Sequence, residues 1–439
     1  VSKKSGRVLS NRSIVISAAL VVLLAAGAAW LLLANFGGGS EADRARLDAI
    51  RTVGSLVLGA GGAIALLLAA RRQQTAERDL AQKEQVQLHA EQDAAERRIT
   101  ELYLKAVDQL GSDKAPVRLA ALHALERVGQ SNPAQRQTIV DVICAYLRMP
   151  YTAPTIHPAG PRRLGYRRPI RPGHPLPAHR PTVSAPVRDS ANAAQQEREV
   201  RLTAQRILTT HLRPAQPDTF WPAIDIDLSG ATLIDFTLLD GRVGRAWFDE
   251  ASFTGFTTFD LTEFTADTSF QAATFAGEAW FMGTKFAGSA LFMGAKFSGN
   301  TMITDAEFAN EATFNYAEFA DRPAFSGTKF ADGASFAEVK FPEGAFFAAT
   351  KFEGDAWFRE TVFAGDADFS EAEFAGDAEF TDDGFASNVT FESAWARTDV
   401  ADVSVSLPSG WTVCDGAGER PDRPGTWARV VSHSSGAGA

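Results

Sequence analysis

Three hydrophobic patterns follow one another along this chain. Residues 13–36 (SIVISAALVVLLAAGAAWLLLANF) carry no charge, and a helix of that length crosses a hydrocarbon core about 30 Å thick. Residues 52–70 (TVGSLVLGAGGAIALLLAA) repeat the pattern over a shorter stretch that Arg71 and Arg72 close. Both stretches are predicted to be transmembrane helices. The apolar core of the first is too long for a cleaved leader, and Trp30 stands near its end. Lys3, Lys4, Arg7 and Arg12 make residues 1–12 basic, whereas residues 37–51 mix arginines with acids. The positive-inside bias therefore predicts an inner-membrane protein with two spans, a short external loop at 37–51 and both termini in the cytoplasm. Gly59, Gly61 and Gly62 are small enough to let the spans approach closely.

The second pattern has a helical period. Residues 71–149 read as a stalk, beginning with a long helix free of Gly and Pro from Arg71 to Leu110. Asp113 as cap and Pro116 in the first turn open a second helix that Gly129 is expected to close. Ser131, Asn132 and Pro133 open a third. Amphipathic helices of similar length joined by short caps suggest an antiparallel, HEAT-like hairpin. His123 and Cys144 lie within these helices without companions of catalytic or metal-binding type, and read as packing residues. Residues 150–190 turn to Pro and Arg, which predicts an extended linker. Near an anchored inner leaflet, Arg162, Arg163, Arg167, Arg168 and Arg171 are candidate contacts to lipid head groups. A short helix is expected over 191–213.

The third pattern is neither helical nor a simple alternation. From Phe248 onward an aromatic beat of alternating five and six residues reaches position 391 without a skipped step. Ile303 is the one exception to Phe on it, and the beat holds 26 of the 31 Phe. A small residue, mostly Ala and less often Thr, stands two places before many of these rings. Alternate residues of a strand point the same way, so small and large share one side. Where the spacing is six, Gly277, Gly288, Gly299, Gly354, Gly365 and Gly376 fall in the connection, which suits a turn with positive φ. A coil of this kind cannot cover its own rings, but coils stacked about 4.8 Å apart would pair their backbones and stack Phe on Phe.

The segments AWFDEASF, AEFANEATF and ADFSEAEF resemble the pentapeptide repeat family. That resemblance implies a right-handed, four-sided β-helix over 214–396, with the central Phe and the preceding small residue pointing inward. The departure is the five-plus-six alternation, which gives a coil of 22 residues rather than 20. The stretch KAVDQLGSDKAPVRLAALHALERV also looks like the segment before the repeats in bacterial membrane-anchored members. The fold class expected is thus multi-domain: two transmembrane helices, a HEAT-like helical stalk and a C-terminal β-helical solenoid. Residues 397–439 would form a cap and tail.

Composition narrows the function classes. Two cysteines, Cys144 and Cys414, supply no disulfide framework or paired metal site. No Gly-rich phosphate loop and no His and carboxylate cluster of metal spacing is present, so no enzyme, cofactor or metal is expected. Residues 228–396 hold 28 acids against 9 bases, within a chain of net charge -10. A coil of 22 residues stacks positions 22 apart, so Lys285, Glu307, Lys329, Lys351 and Glu373 form one solvated ladder, and Trp280 lies over Met302. With Met282, Leu291 and Met293 these make a candidate apolar patch for an unidentified protein partner. The reading is a scaffold or docking module. The alternative is an acidic, DNA-mimicking inhibitor of a nucleic-acid enzyme such as a topoisomerase, as some soluble family members are. Direct nucleic-acid binding is not expected, and the stalk helices and solenoid ends are candidate self-association surfaces.

Overall fold

The computed structural model describes residues 40–151, 185–381, 384–399, 403–418 and 423–432, with scattered positions between 23 and 34. It divides into two compact units, one up to Arg97 and one from Arg98 onward.

The described part of the first unit is helical. Helix α1 runs from Glu41 to Leu110. The backbone N–H of Asp43 donates to the Ser40 hydroxyl, which donates in turn to the Asp43 carboxylate. The Ser40 hydroxyl thus caps the first turn, and the stretch expected to be an external loop is helical from Glu41.

The two expected membrane spans are overturned: among the described residues no helix is long and apolar enough to cross a membrane. Residues 52–70 are an interior part of α1. Arg44, Arg46, Asp48 and Arg51 precede them in the same helix, Arg72 follows, and Thr52, Ser55 and several glycines interrupt their apolar run. Among the described residues, a Cβ built on Gly54, Gly59 or Gly62 meets nothing within 4 Å. Residues 13–36 lie largely outside the described residues. The inner-membrane location with two spans and cytoplasmic termini is withdrawn with the spans.

The second unit opens with helices α2 (Ala115–Ser131), α3 (Arg136–Arg148) and α4 (Ala185–His211), with a 3-10 turn at Pro133–Gln135. Lys114, not Asp113, holds the N-cap position of α2, and its N–H donates to Ser112 Oγ. Pro116 sits in the first turn. Gly129 does not end α2: a Cβ there would meet the Trp221 ring at 2.6 Å, so this glycine makes room for an indole. Asn132 closes the helix instead, its backbone and side-chain amides both donating to Val128 O. In place of a repeating stack, a single hairpin, α2 and α3, packs with α4.

From Ile226 the chain coils. Four sets of parallel strands recur in fixed order around each coil. The first face carries Ile226–Asp227, Ala246–Trp247 and seven later strands, and the second begins with Thr232–Ile234. The third begins with Thr257–Thr258 and the fourth with Arg242–Val243. Partners stand 22 residues apart through most of the stack, as in Phe286 with Phe308 and Trp280 with Met302. The first coil is shorter: Ile226 pairs with Ala246.

The beat residues are the core. Four columns of rings run through the solenoid, and successive rings in a column stack at 4.5 to 5.4 Å, as in Phe253 on Phe275 and Phe319 on Phe341. Columns meet edge to face at the centre, as Phe336 and Phe347 do at 5.3 Å and 87°. Each fully buried aromatic contributes about 1.5–3 kcal/mol from area alone. At three positions where Thr replaces the small Ala, its hydroxyl donates to a carbonyl of the preceding coil: Thr284 to Phe259 O at 2.9 Å, Thr350 to Phe325 O at 3.0 Å and Thr361 to Phe336 O at 2.7 Å. A buried hydroxyl is tolerated on those terms.

The two corner types differ, and the glycine expectation needs correction. Positive φ recurs every eleven residues at the five-residue spacing, at Glu250, Leu261, Ala272, Gly283, Gly294, Asp305, Tyr316, Gly327, Glu338, Ala349, Glu360 and Glu371. Gly277, Gly299, Gly354, Gly365 and Gly376 are not among the positive-φ residues. A Cβ on any of them would overlap backbone atoms of the coil before, for example the Gly255 carbonyl at Gly277. They are glycine because two coils touch there.

Both ends of the stack are covered. Two glutamine side chains from the helices pair with the open backbone of the first coil. Gln205 donates to Ile234 O at 2.8 Å and accepts from Ile234 N at 2.9 Å. Gln137 does the same with Asp225 at 2.9 and 3.0 Å. These side chains satisfy groups that an uncovered edge would offer to another strand. At the other end Trp427–Ser432 runs antiparallel to Trp395–Arg397 and pairs with Trp411–Gly418, while Trp411 lies against Phe391 at 5.5 Å.

Candidate functional site

Outward residues of the four faces decide what the solenoid can bind. On the fourth face Glu263, Lys285, Glu307, Lys329, Lys351 and Glu373 lie in one paired column. Lys285 meets Glu307 at 3.6 Å with both side chains more than half exposed, and such pairs contribute at most about 1 kcal/mol. The second face repeats the scheme with Lys296 and Glu318 at 3.3 Å.

Several of the aspartates are corner fittings. Asp260 accepts the N–H of Met282, Asp267 that of Ser289, Asp355 that of Asp377, and Asp377 that of Ser404. Each ties one coil to the next. Among the described residues no group of His, Cys, Asp or Glu could hold a metal ion.

The helical layer holds a cleft of about 550 Å³ lined by Val107, Leu110, Arg118, Tyr146, Glu197 and Arg201. Its charged groups serve one another. Glu197 accepts from Arg118 at 2.8 Å, Arg201 at 3.0 Å and Tyr146 at 2.9 Å, and Arg201 also donates to the carbonyls of Leu147 and Met149. Burial and the Glu197 hydrogen bond push the Tyr146 phenol up to about 12, so it stays a donor. This is a structural network that ties α2, α3 and α4 together. His211 belongs to a similar arrangement, stacked on Trp221 at 3.9 Å and bonded to Thr219 O and Glu126. His123 is exposed beside Glu126, and Cys144 is buried.

The third face is different. Its outward column runs Thr258, Trp280, Met302, Ala324, Phe346, Asp368, so four consecutive apolar positions lie along it. Phe256 stands beside the column, 38% exposed, with its ring edge-on to Trp280 at 5.0 Å. Arg322 lies 3.7 Å from the Phe346 ring centre. Pro323 has no N–H to give to the ladder, and here the third face is reduced to isolated bridges through Ala324. Leu261, 61% exposed, marks the corner where this face turns into the fourth.

The candidate patch of the sequence is partly assembled. Trp280 and Met302 are neighbours on the third face. Leu291 is on the first, paired with Thr313 and Ser269, and the chain visits the faces in order, so it lies on the opposite side. Met282 and Met293 follow Phe281 and Phe292 at the corners leaving the third and first faces. Arg162, Arg163, Arg167, Arg168 and Arg171 lie outside the described residues. Phe256 and Phe346 were missed, although a signal was present: both are off the beat, and each stands an odd number of residues before the next inward ring, Phe259 and Phe347. On the first face Trp247, Leu291 and Trp357 are separated by Ser269, Thr313 and Ser335, so no comparable stripe forms.

Neither a curated protein nor a solved structure matches the chain. A family profile described as pentapeptide repeats (9 copies) matches residues 336–382. Stacked coils, inward Phe and a small residue two places before them agree with it, and the C-terminal region of this chain is a pentapeptide-repeat solenoid.

Proposed function

We propose that this solenoid is a non-catalytic docking scaffold that takes a protein partner on its third face. The supporting observation is the contiguous stripe Trp280, Met302, Ala324 and Phe346 with Phe256 beside it, on a stack whose second and fourth faces carry alternating charge. Trp280, Met302, Ala324 and Phe346 are each half-buried and Phe256 is exposed; contiguous apolar surface rimmed by polar residues marks an interaction site, and aromatic anchors supply most of the energy where such sites bind. The same Lys and Glu columns interrupt the continuous negative surface that imitation of a DNA duplex requires, so topoisomerase inhibition is not adopted.

Affinity capture with the full chain tests this. A Trp280→Ser/Met302→Ser/Phe346→Ser variant should lose the partners that the wild type and a Leu291→Ser variant retain. Equal recovery by all three chains would refute the docking face.

A further inference from the structure

The third face offers a specific chemistry. Glu278, Asp321, Glu343 and Asp366 are exposed around the apolar stripe, and Asp368 continues its column, with Arg322 the one base among them. A ligand suited to this surface is extended, apolar at intervals and strongly basic. One stretch of the chain has a matching composition. Residues 152–184 hold six arginines, eight prolines and no carboxylate.

Resting on the reading of the third face as a docking surface, we infer that residues 152–184 of this chain are its occupant, seated in cis along Phe256, Trp280, Met302 and Phe346. Charge complementarity carries the argument: the carboxylates around the stripe meet a segment of one sign, which fixes register and speeds association. Proline-rich segments suit aromatic-lined grooves because little chain entropy is lost on docking. Reach is sufficient. The segment leaves the described chain at Tyr151, whose carbonyl accepts the Thr232 hydroxyl of the first coil at 3.4 Å, and returns at Ala185, the start of α4. An extended chain of that length spans about 100 Å, hence about 50 Å out and back. Trp280 and Phe346 are three coils apart, roughly 14 Å.

The test uses the full chain and a version in which 152–184 is replaced by a Gly/Ser stretch of equal length. The probe is a fluorescent synthetic peptide of residues 152–184, followed by anisotropy. The replaced chain should bind the peptide at least about tenfold more tightly than the intact chain, whose site is filled. A Trp280→Ser/Phe346→Ser change or a Glu343→Lys/Asp366→Lys change in the replaced chain should each weaken binding about tenfold or more. Leu291→Ser on the opposite face should leave it unchanged. Circular dichroism and the urea midpoint confirm that each variant folds. Equal peptide affinity for intact and replaced chains, no peptide binding at all, or occupancy between two chains seen as dimers in light scattering would overturn the inference. In the first two cases, continued loss of captured partners on third-face substitution would leave the docking scaffold standing; unaffected capture would remove both.

Discussion

At the scale of single residues, this solenoid puts unusual demands on backbone. Fourteen positions from Glu250 to Glu371 take positive φ, and nine of them are not glycine. An L-residue there costs roughly 1–2 kcal/mol, which the hydrogen bonds of stacked coils offset. At Gly277, Gly299, Gly354, Gly365 and Gly376 glycine instead serves contacts between coils. Gly277→Ala should therefore cost about 3 kcal/mol, because a methyl group would overlap the Gly255 carbonyl and neither backbone can yield. Gly230→Ala has positive φ but open space around it, and should cost about 1 kcal/mol. Urea midpoints of the two variants test the distinction, and equal shifts would contradict it. The position of these glycines was readable from sequence, but their reason was not, since spacing gives a corner's place and not its φ. Cys144 supplies a pH effect. Burial pushes its thiol up to about 12, from an ordinary 9.0. The folded state favours the neutral form, so this contribution is complete below pH 9 and declines as pH rises toward 12. Between pH 9 and 10.5 the wild type should lose about 2 kcal/mol more stability than Cys144→Ala. An equal loss in both would place the alkaline sensitivity elsewhere.

At the scale of elements, the Phe beat was legible because a benzyl side chain every five or six residues matches no helix and only one kind of coil. The ring columns turn that pattern into energy. Phe314 lies between Phe292 at 4.7 Å and Phe336 at 5.0 Å, with Phe325 edge-on at 5.4 Å. Phe314→Ala should cost about 3–5 kcal/mol by denaturant titration, and a cost below about 1 kcal/mol would show that the column is not tightly packed. The covering of the first coil was not legible, because nothing in the sequence says that Gln137 and Gln205 imitate a neighbouring strand. Gln205→Ala leaves the N–H and C=O of Ile234 without their amide partner. It should cost about 2–3 kcal/mol and speed exchange of the Ile234 amide; unchanged exchange there would remove the capping role. The membrane spans were misread for a related reason. Apolar content over 52–70 satisfies a length rule, yet those residues are the interior of one 70-residue helix, and among the described residues no helix is long and apolar enough to cross a membrane.

At the scale of the whole molecule, the solenoid sorts its chemistry by face. Counting in 22s was enough to place Trp280 over Met302 and to build the Lys and Glu ladder. It did not say which of four sides a residue occupies, so Leu291 was grouped with residues on the opposite side, and Phe256 and Phe346 were passed over. The outcome is a stack with two charged faces, a broken apolar one, and a third face with a continuous apolar stripe. Side-chain oxidation footprinting of the full chain bound to its captured partner tests this most directly. Protection of Phe256, Trp280, Met302 and Phe346, with Trp247 and Leu291 still reactive, is the predicted result. Protection centred on Trp247, Leu291 and Trp357, with the third face left open, would contradict the account.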